Sequence, residues 1–264
     1  MKIFHRITVN LDLRKKAILE SFGLVVNVGL STLVIEEEDA KWHLIKKFIA
    51  EWKCVDIETT KFTEDEFNAS RYLLLNASSH WGYPQPEDKF GYLAESYDLT
   101  LYCNECGTGK VLKSPFKMTG EPSFARRDVL QLNWVFDIYF CQPGVFEQVF
   151  SQFGIQCEKV LHYGTGGSLM TVVQLVPQAF VDCGPGVQIR SYTSCDKCGR
   201  MKYLPITRGF FPKLHGNLDF HYFSSNEEFG SGKSAHHAVF ISNKLYQKMK
   251  ALGLNGVSFV PVGS

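Results

Sequence analysis

Hydrophobic and polar positions alternate between two periods along the first ninety residues. "KIFHRITVN" (Lys2–Asn10) has the two-residue alternation of a strand. "LRKKAILESFG" follows as a helix, with Leu13, Ile18 and Phe22 on its stripe and Gly23 placed to end it. "LVVNVG" and "STLVIEE" read as strands joined at Gly29. Glu38 to Trp52 is the clearest amphipathic helix, because Trp42, Ile45, Phe48, Ile49 and Trp52 recur three and four residues apart. "CVDIETTKF" suits an exposed strand, Thr63 and Glu66 have capping-box spacing, and "RYLLLNAS" is again strand-like.

The pattern changes after the Pro/Gly-rich loop "SSHWGYPQPEDKFG". "YDLTLYC", "VLQLNWVFDIYF", "SLMTVVQLVP", "GVQIRSY", "DFHYFSS" and "HHAVFIS" are short strand-like runs separated by turns. Two segments echo each other, "CQPGVFEQVFSQFGI" from Cys141 and "ISNKLYQKMKALGL" from Ile241. Each follows an aromatic strand, carries large apolar residues four apart, and closes on Gly then an aliphatic residue. The expected fold is α+β, with mixed, mainly antiparallel sheets and flanking helices. The expected division is an N-terminal α/β subdomain over residues 1–95 and a sheet-rich domain over 96–264.

Composition narrows the class. The 264 residues are 45% hydrophobic and 14% aromatic, which argues for packed cores and against disorder. The formal charge is +1, from 28 basic and 27 acidic side chains, and offers no nucleic-acid footprint. No apolar window is long enough for a membrane span. The start "MKIFHRITVN" lacks the apolar run of a secretion signal, so a cytoplasmic protein with reduced thiols is expected. Charge is uneven locally: between Glu36 and Glu66 ten acidic residues face five basic ones. A solvated face accounts for that excess, and a surface for a basic partner is the functional alternative.

Eight cysteines occur, and four fall in two Cys-x-x-Cys-Gly motifs, "LYCNECGTGK" and "TSCDKCGRMK". Two cysteines separated by two residues present both sulfurs to one ion from one tight turn, and the following glycine (Gly107, Gly199) can take positive φ. Cys103, Cys106, Cys195 and Cys198 therefore form a candidate four-thiolate, zinc-ribbon-like clasp, whose knuckle stems would pair at the base of the segment between them. Lys110, Lys197, Arg200 and Lys202 stand near enough in sequence to offset its charge. Four thiolates fill a tetrahedral zinc completely, so the expected metal is structural Zn2+, not catalytic. The ligand set alone also suits an iron–sulfur cluster. A thioredoxin-like redox pair fits less well, since neither motif opens a helix. Cys54, Cys141, Cys157 and Cys183 read as small buried hydrophobes.

Other motifs weigh less. Gly232-Lys233-Ser234 resembles the tail of a phosphate loop, but Glu227 stands where the leading glycine belongs. The turn after His162 reads as a plain loop, and His80 as a loop-packing residue. His236 and His237 are adjacent on a strand, face opposite ways, and make a poor chelating pair. No nucleophile elbow or metalloprotease motif is present, so an enzyme is not expected.

With its two Cys-x-x-Cys-Gly motifs, the Trp-bearing strand and helix "WVFDIYFCQPGVFEQVFSQFGI", and the C-terminal "LDFHYFSSNEEFG" and "AVFISNKLYQKMKALGLNGVSFVPV", the chain resembles the double-CXXCG family, a paralogous group first noticed in a myxobacterium. Gly256, Phe259 and Pro261 supply the family's Gly-x-x-Phe-x-Pro ending. The resemblance covers roughly residues 95 to 264. It implies an immunity-type protein that binds and neutralises a cognate protein toxin. The rival classes are a zinc-ribbon interaction or regulatory module and, further off, a metal-dependent enzyme.

Overall fold

In the computed structural model, residues 1–188, 191–216 and 218–263 are described. They form two compact units. The first holds residues 1–66 together with 206–210, and the second holds 67–205 and 211–264. The fold is α+β, with mainly antiparallel sheets and flanking helices. Among the described residues no helix is long and apolar enough to cross a membrane.

The first unit is built on β1 (Lys2–Leu11), which lies between β2 (Gly29–Glu36) and β3 (Val55–Lys61), antiparallel to both. Alternation along β1 turns His5, Ile7, Val9 and Leu11 inward. Helices α1 (Leu13–Ser21) and α2 (Ala40–Glu51) contribute Leu19, Trp42, Ile45 and Ile49 to the same core. Asp12 and Asp39 cap these helices by accepting from the backbone N–H of Lys15 and Lys41. Gly23 ends the first with φ +73°, as its position in the sequence implies. Phe48 and Trp52, expected on the α2 stripe, are only half-buried. The run expected as a strand at 24–29 is irregular until Gly29. Thr63 and Glu66 form the capping box, each side chain bonding the other's backbone N–H. Residues 206–210 add Arg208, which binds Glu37 at 2.6 and 2.8 Å and Glu58 at 3.1 Å. That guanidinium holds the Glu37 carboxyl below the usual range.

The second unit contains β4 (Tyr72–Ala77), next to the last strand of a seven-stranded sheet. Across the sheet the order is Tyr192–Ser194, Met201–Tyr203, Tyr222–Phe229, His236–Ser242, β4 and Val257–Pro261, with Phe180–Val181 pairing beside Tyr222–Phe229. A five-stranded sheet is centred on Ser168–Val176, which pairs with Gln156–His162 and Phe140–Cys141. The echoed segments are both strand–helix–strand units. Pro143–Phe153 runs as one helical stretch of changing pitch, and Asn243–Ala251 is an α-helix. Gly154 (φ +68°) and Gly253 (φ +64°) close them. Val149 and Phe150 of the first helix share one core with Leu245, Tyr246 and Met249 of the second.

Several expected strands shrink. "YDLTLYC" is a strand only at Tyr97–Asp98, and "VLQLNWVFDIYF" only at Val129–Leu130 and Phe140–Cys141. Trp134, with φ +67°, breaks the second run. In "GVQIRSY", Pro185–Gln188 is a helical turn, and residues 189 and 190 lie outside the described residues. The strand Gln156–His162, paired with Ser168–Val176 on one side and Lys117–Met118 on the other, was not expected, because its charged residues mask the alternation.

Ser242 caps the C-terminal helix through Leu245 N–H (3.2 Å) and contacts His221 Nδ1 (2.7 Å). Ser242→Ala is expected to destabilise the protein by about 1–2 kcal/mol, with Ser242→Thr recovering most of the loss. Urea denaturation midpoints check this, and an unchanged midpoint for the alanine variant would refute the capping role.

Candidate metal centre

Each Cys-x-x-Cys motif is the tip of its own short hairpin. Tyr97–Asp98 pairs with Val111–Leu112, and Tyr192–Ser194 pairs with Met201–Tyr203. The stems thus pair within each knuckle, not with one another as the sequence suggested. Local bonding is the same in both. Gly107 N–H donates to Cys103 O (2.7 Å) and Cys103 N–H to Thr108 O (2.9 Å). Gly199 N–H donates to Cys195 O (2.8 Å) and Cys195 N–H to Arg200 O (3.0 Å). Both glycines adopt the left-handed backbone this turn requires, with φ +81° and +72°.

The knuckles face each other. Cys103 Sγ lies 3.9 Å from Cys195 Sγ, Cys106 Sγ lies 3.7 Å from Cys198 Sγ, and all four sulfurs fall within 4.8 Å of one another. A tetrahedron with metal–sulfur arms of about 2.3 Å has edges of about 3.8 Å. All four cysteines are free, and the cross-pair separations far exceed a disulfide bond of about 2.0 Å. Cys103 is buried and its three partners are half-buried.

The electrostatics favour a cation at the centre. The backbone N–H groups of Cys106 and Glu105 pull the Cys103 thiol down to about 6. At Cys106 burial pushes upward, but the Thr108 hydroxyl and N–H outweigh it and the net shift is downward. At Cys195 the N–H groups of Cys198 and Lys197 favour the thiolate, yet burial and then the neighbouring sulfurs together prevail and its pKa is raised. Four thiols this close cannot all ionise alone, and a divalent ion removes the conflict. The other cysteines behave differently. Burial raises the thiols of Cys54, Cys141, Cys157 and Cys183; Cys141 and Cys183 are buried as expected, whereas Cys54 and Cys157 are only half-buried.

The basic residues near the motifs fasten this centre. Lys202 is only 2% exposed, and its ammonium donates to Cys106 O (2.7 Å), Gly232 O (2.7 Å) and Ser234 O (3.0 Å). Three acceptors use all three of its protons. Its charge sits against the first knuckle, where a four-thiolate zinc site would carry −2. Arg200 Nη1 donates to Leu101 O (2.5 Å) and Thr108 O (3.3 Å), and Lys197 Nζ donates to Asn104 Oδ1 (2.9 Å), so both cross from the second knuckle to the first. Lys110 instead donates to Ala235 O.

Sequence reasoning missed the backing loop, residues 230–235. Lys233 O stands 2.2 Å from where a Cβ on Gly107 would sit. Nothing local signals a contact across such a separation. This loop contains the Gly-Lys-Ser tripeptide, and its carbonyls face the Lys202 cation, the reverse of a phosphate cradle. His162 Nδ1 accepts from the N–H of Gly164 and Thr165 and closes its own turn. His80 packs against Phe136. His236 and His237 line two different clefts, in keeping with strand alternation.

No family model, curated protein or solved structure matches the chain.

The two knuckle glycines differ in what surrounds them. A Cβ on Gly199 meets nothing within 4 Å, so Gly199→Ala should cost only its backbone conformation, about 1–2 kcal/mol. Gly107→Ala should cost clearly more, because backbone blocks the new methyl. Denaturation of the metal-loaded variants tests the order, and equal losses would contradict the packing described.

Proposed function

We propose that the four cysteines hold one zinc ion as a structural clasp, and that the protein acts by binding another protein, as an immunity-type neutraliser of a cognate toxin. The observation that carries the first part is the closed set of four sulfurs within 4.8 Å. Such a set completes a tetrahedral zinc and leaves no position for water or substrate. In that arrangement the metal supplies cross-linking, and the chain's own groups orient the sulfurs and balance their charge.

The binding role rests on the resemblance of the paired motifs and C-terminal segments to the double-CXXCG family. Surface features of the first unit are compatible with it. Leu30, Val34, Val55 and Ile57 stand 79%, 62%, 60% and 50% exposed, on the sheet face opposite the core. Glu38, Glu51 and Asp65 are exposed in the same unit. Much of the local acidity is spent internally, however. Glu36 pairs with Lys2, Glu37 and Glu58 with Arg208, Asp56 with His5, and Glu66 with the N-terminal amine. A basic toxin surface would therefore meet fewer unengaged carboxylates than the composition suggests.

Elemental analysis is expected to give one zinc per chain, and X-ray absorption four sulfurs at about 2.3 Å. Cys198→Ser should lose most of the metal and lower Tm by ~10 °C or more, since each kcal/mol lost moves a protein of this size by about 2–4 °C. A variant that loses zinc at unchanged Tm would defeat the structural role. Coexpression with the toxin encoded beside the gene should give a complex and protection. Absence of both, with zinc bound and the fold intact, would defeat the immunity role alone.

A further inference from the structure

The second unit contains a cleft of about 730 Å³ that the metal centre does not use. Its volume lies within the range of small-molecule sites, about 300–1,000 Å³. Phe90, Tyr92, Trp134 and Phe136 form aromatic walls. Trp134 is the hub of this group, with ring centroids 4.7 Å from Phe90, 6.2 Å from Tyr92 and 4.4 Å from Tyr83. These rings are not sealed in a core: Phe90 is 51% exposed, Phe136 40% and Trp134 38%.

Two wall residues also hold costly backbone. Phe90 has φ +57° and Trp134 has φ +67°, in the left-handed region where a bulky side chain is an outlier. Such conformations persist where the surroundings enforce them, and they gather at ligand clamps. Both residues line the same opening.

The polar groups are one-sided. Lys110 and Lys233 line the cleft, and among the described residues no carboxylate lines it. Lys233 is held only loosely, 4.0 Å from Glu105 with its side chain 75% exposed. His236 also lines the cleft, and its buried Nδ1 has no hydrogen-bond partner. Flat apolar walls select a ring, and two ammonium groups, of which Lys233 is only weakly paired with Glu105, select an anion over a cation.

We infer that this cleft binds a small aromatic anion, a flat ring system bearing a sulfonate, carboxylate or phosphate. The ring stacks among Phe90, Trp134 and Phe136, and the anionic group faces Lys110 and Lys233.

The test uses the full-length, metal-loaded protein and 8-anilinonaphthalene-1-sulfonate, followed by fluorescence and calorimetry. The uncharged N-phenyl-1-naphthylamine serves as the control. One saturable site per chain is expected. Trp134→Gly removes the central ring and suits the local backbone, and should weaken the sulfonate at least tenfold without loss of the folded circular dichroism spectrum. Lys233→Glu, at an exposed side chain, should weaken the sulfonate at least fivefold and leave the uncharged analogue unchanged. Displacement of the dye by AMP or by 2-naphthoate supports the site, and tells a phosphate-bearing ligand from a carboxylate. The inference is overturned if uptake is unsaturable, if both variants bind the sulfonate like the parent, or if neither competitor displaces it.

Discussion

Mutual repulsion among four sulfurs is the constraint around which the second unit is organised. Cys103 and Cys195 are 92 residues apart in sequence, yet their sulfurs approach to 3.9 Å. Nothing in hydrophobic packing demands that approach, because three of the four cysteines are only half-buried. The approach is held by directed polar contacts: N–H groups on the sulfurs, Arg200 and Lys197 reaching across, and Lys202 fully engaged by carbonyls. Such an arrangement concentrates negative charge and then surrounds it with donors, which is the preparation a cation requires.

Around this centre the unit uses ordinary means. Two strand–helix–strand segments place their helices in one core, where Val149, Phe150, Leu245 and Met249 meet beneath the larger sheet. A second cluster centred on Phe116, Phe140 and Val172 packs against the smaller one. The metal centre lies at the tips of two hairpins whose strands are only two or three residues long. Strands so short gain little from their own ladders, so an ion held at their tips would add what packing does not supply.

What the sequence disclosed depended on the range of each interaction. The Cys-x-x-Cys-Gly turns were legible because the bonding that shapes them is local, from Cys103 to Thr108 and from Cys195 to Arg200. The helix over Ala40–Glu51 and its inward face at Trp42, Ile45 and Ile49 were legible for the same reason. Their partners were not. That residues 230–235 back the first knuckle, or that Trp134 breaks an apparently continuous strand, depends on contacts between distant parts of the chain. The acidic excess at 36–66 was visible as composition, but its pairing with Arg208 and the N-terminal amine was not.

The first unit includes residues 206–210, which the chain supplies long after the rest of it. During synthesis, residues 1–66 emerge first, and Glu37 and Glu58 wait without their guanidinium until roughly 140 further residues have been added. At translation rates of about 5–20 residues per second the wait lasts on the order of ten seconds. Until then the N-terminal sheet and its helices have only their own apolar core to hold them, and Arg208 is a late fastening.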